Sequence, residues 1–179
     1  MDFDLKDTVN AYKQVTMESA AEVKMYLEHT YGTIFKPLRV GNRFNTHTAT
    51  VYVRDGSNER VVFKAVLDHY GNVEEDYVSQ CILTQMGDSV ITALEAVGIP
   101  CEINASFGRE IHESDKNITI RDFLSKYGIK RIVLQMILLN MDPDAEKIIQ
   151  QYVTFLRSNV DSGYEATENT NINLSKNFK

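Results

Sequence analysis

The chain has 179 residues, of which 43% are hydrophobic and 25% are charged, and these proportions suit one packed domain and exclude a wholly disordered chain. Acidic residues number 25 against 19 Lys and Arg, and because the basic residues are scattered along the sequence, binding to a nucleic-acid backbone is not expected. The sequence contains no apolar run of about 18 residues, so no transmembrane segment is predicted.

The first predicted element is helical and covers residues 5–31. Apolar residues fall at helical spacing in this stretch, and neither Gly nor Pro interrupts it before Gly32. The pattern fits one helix, or two helices broken near Thr16. The following segment, 35–40, has the pattern of a strand, but Pro37 cannot donate a backbone hydrogen bond, which favours a place at the edge of a sheet.

A β-hairpin is predicted next. Residues 48–54 and 60–67 alternate between apolar and polar side chains, as strands that are buried on one face do. The sequence Asp-Gly-Ser-Asn at 55–58 lies between them and is typical of a turn. The two arms are therefore expected to turn one apolar face toward the core.

The central helix is predicted over 72–98. Its apolar residues recur at three- and four-residue spacing, Asn72 would cap its start, and Glu75 would reach back to the Asn72 amide. Gly98 would take the left-handed conformation that ends a helix. Residues 68–72 would turn the chain from the hairpin into this helix, whose apolar stripe must pack on the strands.

A strand and a short helix follow the central helix. The strand is predicted over 99–107, where a polar loop takes over. The short helix covers 119–127, because Thr119 and Asp122 have the spacing of a helix cap and Gly128 would end the helix.

The last predicted elements are a strand, a helix and a tail. Residues 132–139 are nearly all apolar, which favours a central strand buried on both faces. Asp142 and Pro143 would start a helix over 145–157. Residues 159–179 are rich in Asn, Thr, Ser, Glu and Lys and form a polar tail that is either loosely ordered or an edge strand.

These elements predict an α+β fold with a mostly antiparallel sheet of four to six strands, helices packed on one face, and the order α-β-β-β-α-β-α-β-α. A single domain would cover 1–158, with an N-terminal helix or helix pair at 1–31, and the polar tail would follow at 159–179. One face of the sheet would be left bare. If that face curves, it is a natural concave site for a partner.

No catalytic or cofactor signature accompanies this fold. Phosphate-binding loops, dinucleotide fingerprints and serine nucleophile elbows are absent from the sequence, so no catalytic residue, metal site or cofactor is predicted. Cys81 and Cys101 are interpreted as buried thiols, and a disulfide between them would require a close approach of the two backbones. The four histidines are too far apart to form a metal-binding pair on one helix: His29, His47, His69 and His112.

The remaining candidate site is a surface patch. Acidic side chains expected near one end of the sheet, together with two tyrosines expected to be exposed, would suit a basic protein partner. The alternative is that these charges, with Asp76 among them, only keep the surface solvated. The candidate partner-binding residues are Asp68, Tyr70, Glu74, Glu75, Tyr77, Glu110, Glu113 and Asp115.

Residues 16–107 resemble a class of bacterial proteins. Thr30, Tyr31 and Gly32, then Phe35, the alternating hairpin and an Asp-x-x-Gly-x-Val turn at 68–73 are similar to small anchored or lipoprotein-type ectodomains of low-GC Gram-positive bacteria. This class includes immunity proteins that protect a producer from secreted toxins. The leading hypothesis is a single-domain inhibitor that occludes a secreted toxin through the bare face of the sheet and the acidic loops around it, and these acidic loops would suit a toxin with a basic surface. The resemblance itself implies a non-enzymatic binding protein that is displayed outside the cytoplasm and has an N-terminal anchor. It assigns no functional residue.

Two other function classes stay open. A small hydrolase or transferase could assemble its acid and base in three dimensions, with His47 and a nearby carboxylate as candidates. A structural or adaptor subunit of a mobile element or phage could instead dock through the helix at 5–31. The sequence leaves the oligomeric state open. It also leaves the compartment open, which would be extracytoplasmic and membrane-anchored if an N-terminal anchor has been removed and cytoplasmic otherwise.

Overall fold

A computed structural model describes residues 5–41, 48–96, 98–129, 132–138, 147 and 172–174. Within these residues there are three helices, α1 (Leu5–Tyr31), α2 (Tyr77–Glu95) and α3 (Ile120–Lys126). The strands are β1 (Phe35–Val40), β2 (Ala49–Asp55), β3 (Val62–Leu67), β4 (Val73–Glu75), β5 (Cys101–Ser106), β6 (Val133–Leu138) and β7 (Ile172–Leu174). None of the described helices combines the length and the apolar character that a membrane span requires.

The predicted fold class is confirmed. The chain has an α+β arrangement in the predicted order, to which the short strands β4 and β7 are added. One sheet is antiparallel and has the strand order β1-β2-β3-β4. The other has the order β5-β6-β7, with β5 antiparallel and β7 parallel to β6. The predicted helix over 145–157 lies outside the described residues except for Lys147, which is helical.

The chain divides into two compact units. The first unit consists of Met1–Gln80 together with Ile111–Lys116, and the second of Cys81–Glu110 together with Asn117–Lys179. The four-stranded sheet belongs to the first unit and the three-stranded sheet to the second. The single domain expected over 1–158 stays a prediction.

Helix α1 is continuous, which decides between the one-helix and two-helix alternatives. Val23, Leu27 and Tyr31 are buried and follow one another at four-residue spacing, so they form the stripe that packs on the first sheet. The helix ends before Gly32, which has a left-handed φ of 64° and whose N–H donates to the Glu28 carbonyl at 2.9 Å.

Strands β2 and β3 form the hairpin that the alternating pattern predicts. Val51 pairs with Ala65 and Val53 with Phe63, and all four side chains are buried on the side of α1. Alternate positions point the other way, so the Tyr52 side chain is only half-buried. The sheet therefore has one face covered by α1 and one face that is open.

Strand β1 lies at the edge of the sheet, as the presence of Pro37 predicts. It pairs antiparallel with β2, and its register shifts between Pro37 and Arg39. This bulge takes Leu38 out of the pairing and places Arg39 opposite Tyr52.

The prediction that the central helix begins after Asn72 is wrong. Residues 73–75 instead form β4, which pairs antiparallel with β3. Asp68 closes the loop between these strands, because its carboxylate accepts hydrogen bonds from the backbone amides of Tyr70 and Asn72, both at 2.8 Å. Pairing with β3 provides hydrogen-bond partners for backbone N–H and C=O groups of residues 73–75. The spacing of apolar residues in the sequence cannot reveal this pairing, because β3 is a separate segment of the chain.

Helix α2 begins after Asp76, one turn later than predicted. The Asp76 carbonyl accepts the first intrahelical hydrogen bond, from the Gln80 N–H at 3.0 Å. The Asp76 side chain accepts hydrogen bonds from the Lys64 backbone N–H at 3.1 Å and from the Gln80 side chain at 2.9 Å. Asp76 therefore fixes the start of α2 to strand β3.

In the second unit, both predicted glycine terminators are confirmed. Gly98 and Gly128 have φ values of 82° and 58° and follow the ends of α2 and α3. Thr119 caps α3 as predicted, since its side chain accepts a hydrogen bond from the Asp122 N–H at 3.1 Å.

Strand β6 is the middle strand of its sheet, as predicted for 132–139. It is not buried on both faces along its length, because the Gln135 side chain is exposed. Strand β7 adds an edge strand from the polar tail, which was one of the two alternatives for that segment.

Replacing Gly56 by Ala in the turn between β2 and β3 should destabilise the fold. The Gly56 N–H donates to the Ile34 carbonyl at 2.8 Å, and an added Cβ would lie 2.8 Å from that same backbone oxygen. We expect urea denaturation to show a loss of about 1–3 kcal/mol in the free energy of unfolding, the usual cost of overpacking. The control Glu59→Ala, at an exposed position of the same turn, should change it by less than about 0.5 kcal/mol. Equal stability of the two variants would contradict the close approach.

Candidate functional site

The open face of the four-stranded sheet lies opposite α1. The register of the strands arranges its side chains in three rows across the sheet. The first row is Lys36, Arg54 and Val62, the second is Arg39, Tyr52 and Lys64, and the third is Thr50, Val66 and Glu74. These nine residues form the open face.

The open face is basic although the chain as a whole is acidic. It carries four cationic side chains and one carboxylate, Glu74, whereas the chain has 25 acidic residues against 19 Lys and Arg. Lys36 stands directly opposite Arg54 on the neighbouring strand. Like charges at directly opposed positions destabilise a sheet. The repulsion between Lys36 and Arg54 therefore lowers the stability of the sheet, and the fold itself does not require it.

Tyr52 lies at the centre of the open face. The Arg39 guanidinium lies over the Tyr52 ring, 4.0 Å from the ring centroid. Tyr and Arg are among the residue types that are enriched at protein interfaces. On the neighbouring row, Arg54 Nε is buried and has no hydrogen-bond partner among the described residues. Such a donor costs free energy that a ligand oxygen would recover.

The core on the covered side contains a network of carboxyl and phenol groups. Glu75, at the end of β4, is only 8% exposed. One of its oxygens accepts a hydrogen bond from the Tyr31 hydroxyl, and the other accepts one from the Tyr77 backbone N–H at 2.5 Å. Burial raises the pKa of the Glu75 carboxyl above its usual range, although these hydrogen bonds act in the opposite direction.

Asp55 is a further buried carboxylate of this network. One of its oxygens accepts hydrogen bonds from the Ser57 backbone N–H and hydroxyl, at 2.7 and 2.6 Å. The other accepts one from the Tyr77 hydroxyl at 2.7 Å. Burial alone would raise the pKa of Asp55, but these hydrogen bonds outweigh it and lower the pKa below its usual value. Asp55 therefore joins the hairpin turn to the start of α2.

Aromatic rings surround the two carboxyl groups. The Tyr77 ring centroid lies 4.7 Å from that of Tyr31, 5.0 Å from that of Phe35 and 5.1 Å from that of Phe63. These rings join α1, β1, β3 and α2 in one cluster, so the hydrogen bonds of Tyr31 and Tyr77 form inside a packed apolar environment.

The segment Ile111–Lys116 is fixed to the rest of the first unit by hydrogen bonds. The Ser79 hydroxyl donates to the Ile111 carbonyl at 2.6 Å. His112 Nδ1 lies 2.6 Å from the Glu75 carbonyl oxygen, and since a carbonyl only accepts, Nδ1 must carry the proton. The segment therefore holds both the start of α2 and the end of β4.

The geometry favours a structural role for the network over a catalytic one. A carboxyl group with a raised pKa can transfer protons when a substrate reaches it. Both oxygens of Glu75 are already bonded within the chain, and a substrate would have to displace Tyr31 or Tyr77 to reach them. Over the ranges that the structure describes, no group of three or more His, Cys, Asp or Glu side chains is placed to hold a metal ion. The open face is therefore the candidate site.

The predicted partner-binding residues separate into surface and core. Glu75, Tyr77 and Glu113 are buried, so the expectation of an exposed Tyr77 is wrong. The reason is the later start of α2, which turns the Tyr77 ring into the aromatic cluster. Partner binding by the accessible members stays a prediction. The exposed members are Tyr70, Glu74, Glu110 and Asp115, and Asp68 is half-buried.

Asp68 and Tyr70 both belong to the loop between β3 and β4. The hydrogen bond from the Asn72 side chain at 2.8 Å, together with those from backbone amides, lowers the pKa of Asp68. Tyr70 is 79% exposed, and its ring centroid lies 3.6 Å from that of His69. Asp68 thus closes a loop, and of the predicted residues Glu74 alone belongs to the open face.

Sequence reasoning missed the basic residues of the open face. They lie far apart along the chain, and strand pairing brings them together. The available signal is the two-residue alternation of the hairpin, which places Tyr52 and Arg54 on the outward side of one arm and Lys64 on the outward side of the other.

The other candidates from the sequence are His47 and the two cysteines. His47, the candidate for a hydrolase or transferase, lies outside the described residues. Cys81 is half-buried, Cys101 is buried, and no disulfide joins them. Burial raises the pKa of the Cys101 thiol, which disfavours the reactive thiolate.

Comparison with protein-family models, with curated proteins and with solved structures gives no match for this chain. A function has to be inferred from the geometry of the chain itself.

Replacing Tyr77 by Phe should destabilise the first unit. The change removes the hydroxyl that donates to the buried Asp55 carboxylate at 2.7 Å and keeps the ring. We expect the free energy of unfolding in urea to fall by about 1.5–3 kcal/mol, the range for a hydrogen bond to a charged group. The control Tyr70→Phe removes a hydroxyl at an exposed position and should change it by less than about 0.5 kcal/mol. Similar losses in both variants would contradict the role of the Tyr77 hydroxyl.

Ionisation of Glu75 should lower the free energy of unfolding as the pH rises, and replacing Glu75 by Gln should remove this effect. The pKa of Glu75 is raised by burial, so the folded state keeps this proton to a higher pH than the unfolded chain does. Its contribution to stability is therefore complete below the usual glutamate pKa of about 4.3 and is lost as the pH rises through the folded-state value. Gln cannot ionise, so the free energy of unfolding of the variant, relative to the parent chain, should increase as the pH rises above about 4.

Urea denaturation of the parent chain and of Glu75→Gln at a series of pH values measures this difference. Glu74→Gln is the matched control, because Glu74 is the exposed neighbour on the same strand. The increase of this difference with pH should be larger for Glu75→Gln than for the control. Equal pH dependence in the two variants would contradict the raised pKa of the buried Glu75 carboxyl.

Proposed function

We propose that this chain is a non-enzymatic protein-binding domain that acts by covering part of a partner protein with its open face. The observation that carries the proposal is the asymmetry of the four-stranded sheet. Helix α1 buries one face, and the other keeps Arg39, Tyr52 and Val62 at the surface. An immunity-type inhibitor, as implied by the sequence resemblance, would act in this way.

The composition of the open face supports recognition of a protein. An aromatic ring and an Arg guanidinium are stacked at its centre, and Val62 is a large apolar side chain that is 40% exposed. Aromatic and Arg side chains supply most of the binding free energy in typical protein interfaces. The packed core holds the sheet from the other side, so little ordering free energy is lost on binding.

An enzyme is the less favoured class. Among the described residues, Glu75 is a carboxyl group whose pKa is raised by burial, which makes it a candidate for proton transfer. Glu75 pairs with Ala65 on the covered side of the sheet, whereas the accessible residues lie on the opposite side. A molecule bound at the open face could not reach it, and this separation favours binding without chemistry.

A photo-crosslinking amino acid at Val62 tests the proposal in the source cell. Val62 lies on the open face, at the end of the row that begins with Lys36. We expect irradiation to attach one recurrent protein at this position, to be identified by mass spectrometry. That protein, once purified, should bind the parent chain, and Tyr52→Ala should weaken the binding about tenfold or more, as for a central interface residue.

The matched control carries the same amino acid at Met17, which is 73% exposed on α1. A recurrent adduct at position 62 that is absent at position 17 supports the proposal. The absence of an adduct at 62, or the same adducts at both positions, contradicts it.

A further inference from the structure

We propose that the partner surface bound by the open face is acidic, a protein segment whose Asp or Glu side chains lie across Lys36, Arg39 and Arg54. This inference rests on the proposed function and adds the chemistry of the partner to it. The overall charge of the chain favours a basic partner, whereas the local charge of the site favours the opposite.

The opposed pair of Lys36 and Arg54 carries the first step. Directly opposed residues in a sheet have Cβ atoms about 4.5–5.5 Å apart, which is close enough for one carboxylate to contact both cations. Neither side chain forms an ion pair with any residue that the structure describes. A bound carboxylate would convert their repulsion into two attractions, so part of the cost of the empty face is recovered on binding.

Arg54 supplies a second, independent observation. Its Nε is buried, and no acceptor among the described residues bonds to it. A guanidinium presents Nε and a terminal nitrogen side by side, which matches the two oxygens of a carboxylate. Rotation of the Arg54 side chain toward a bound carboxylate would satisfy this donor.

Arg39 completes the arrangement. Its guanidinium lies over the Tyr52 ring at 4.0 Å, so one planar face of the cation is occupied by the ring. Stacking holds the group in place and leaves the N–H donors at its edge for an acceptor outside the sheet. Arg39 is exposed, which makes these donors accessible to a partner.

The size of the basic region favours a protein segment over a nucleic acid. It extends over β1, β2 and β3, and neighbouring strands are about 4.8 Å apart, so it is about 10 Å wide. That width matches one helix or one extended chain. A nucleic-acid duplex would also meet the rest of a chain with a net charge of -6, and its phosphates would be repelled there.

Nuclear magnetic resonance with the isotope-labelled 179-residue chain tests the inference without knowledge of the natural partner. The probes are a synthetic 12-residue peptide of Glu and Gly, the same peptide with Lys in place of Glu, and a short DNA duplex. We expect the Glu peptide, at millimolar concentration, to shift the amide signals of Arg39, Tyr52 and Arg54 and their neighbours. The Lys peptide should leave them unchanged, and added salt should weaken the effect.

The double variant Lys36→Glu with Arg39→Glu should weaken binding of the Glu peptide about tenfold. The control Arg121→Glu makes a charge reversal at an exposed position of α3 and should weaken it by less than about twofold. Both changed residues of the double variant are exposed, and an otherwise unchanged spectrum would show that it is folded.

Three outcomes would overturn the inference: no shift of the open-face signals with the Glu peptide, equal weakening by the control, or tighter binding of DNA than of the Glu peptide. A partner captured at Val62 in spite of such a result would leave the proposed function standing and remove only its acidic partner. If the Glu peptide binds the open face but no protein is crosslinked at Val62, the open face binds acidic segments and the proposed function is contradicted.

Discussion

The alternation of side chains along β2 and β3 is the constraint on which the first unit depends. Because successive residues of a strand point to opposite faces, Val51 and Val53 enter the core while Tyr52 and Arg54 must face away from it. A shift of the register by one residue would bury charges and expose the core, so the same hydrophobic burial that stabilises the sheet also determines which side chains the open face presents. The composition of the open face is in this sense a consequence of the core.

Carboxyl groups in that core would be costly if they were left without donors. Asp55 is provided with donors from Ser57 and Tyr77, and its pKa falls in spite of burial. Glu75 accepts hydrogen bonds from Tyr31 and Tyr77, but these do not offset the effect of its burial, and its pKa rises. Both groups end a strand, and both are bonded to Tyr77 near the start of α2. The network therefore connects the hairpin, β4 and the start of α2.

Net charge is a poor guide to the local charge of the open face in this protein. The chain as a whole is acidic, and its basic residues look scattered because the cations of the open face lie in three different strands. Antiparallel pairing brings them into adjacent rows. Two of the site's central residues, Tyr52 and Arg54, together with Lys64, follow from the hairpin pattern alone. Placing Lys36 and Arg39 beside them requires the pairing of β1 with β2 and the bulge near Pro37.

Signals that act over a few residues were sufficient for much of this fold. Gly32 and Gly128 end helices, Thr119 starts one, and Pro37 confines its strand to an edge, because caps, left-handed φ and missing donors depend on the local chain. The start of α2, the burial of Tyr77 and the position of Lys36 and Arg39 on the open face were beyond reach of such signals. Each depends on hydrogen bonds or packing between different segments of the chain, above all the pairing of β4 with β3 and of β1 with β2. A local sequence pattern can indicate a strand, but it does not identify the strand with which it pairs.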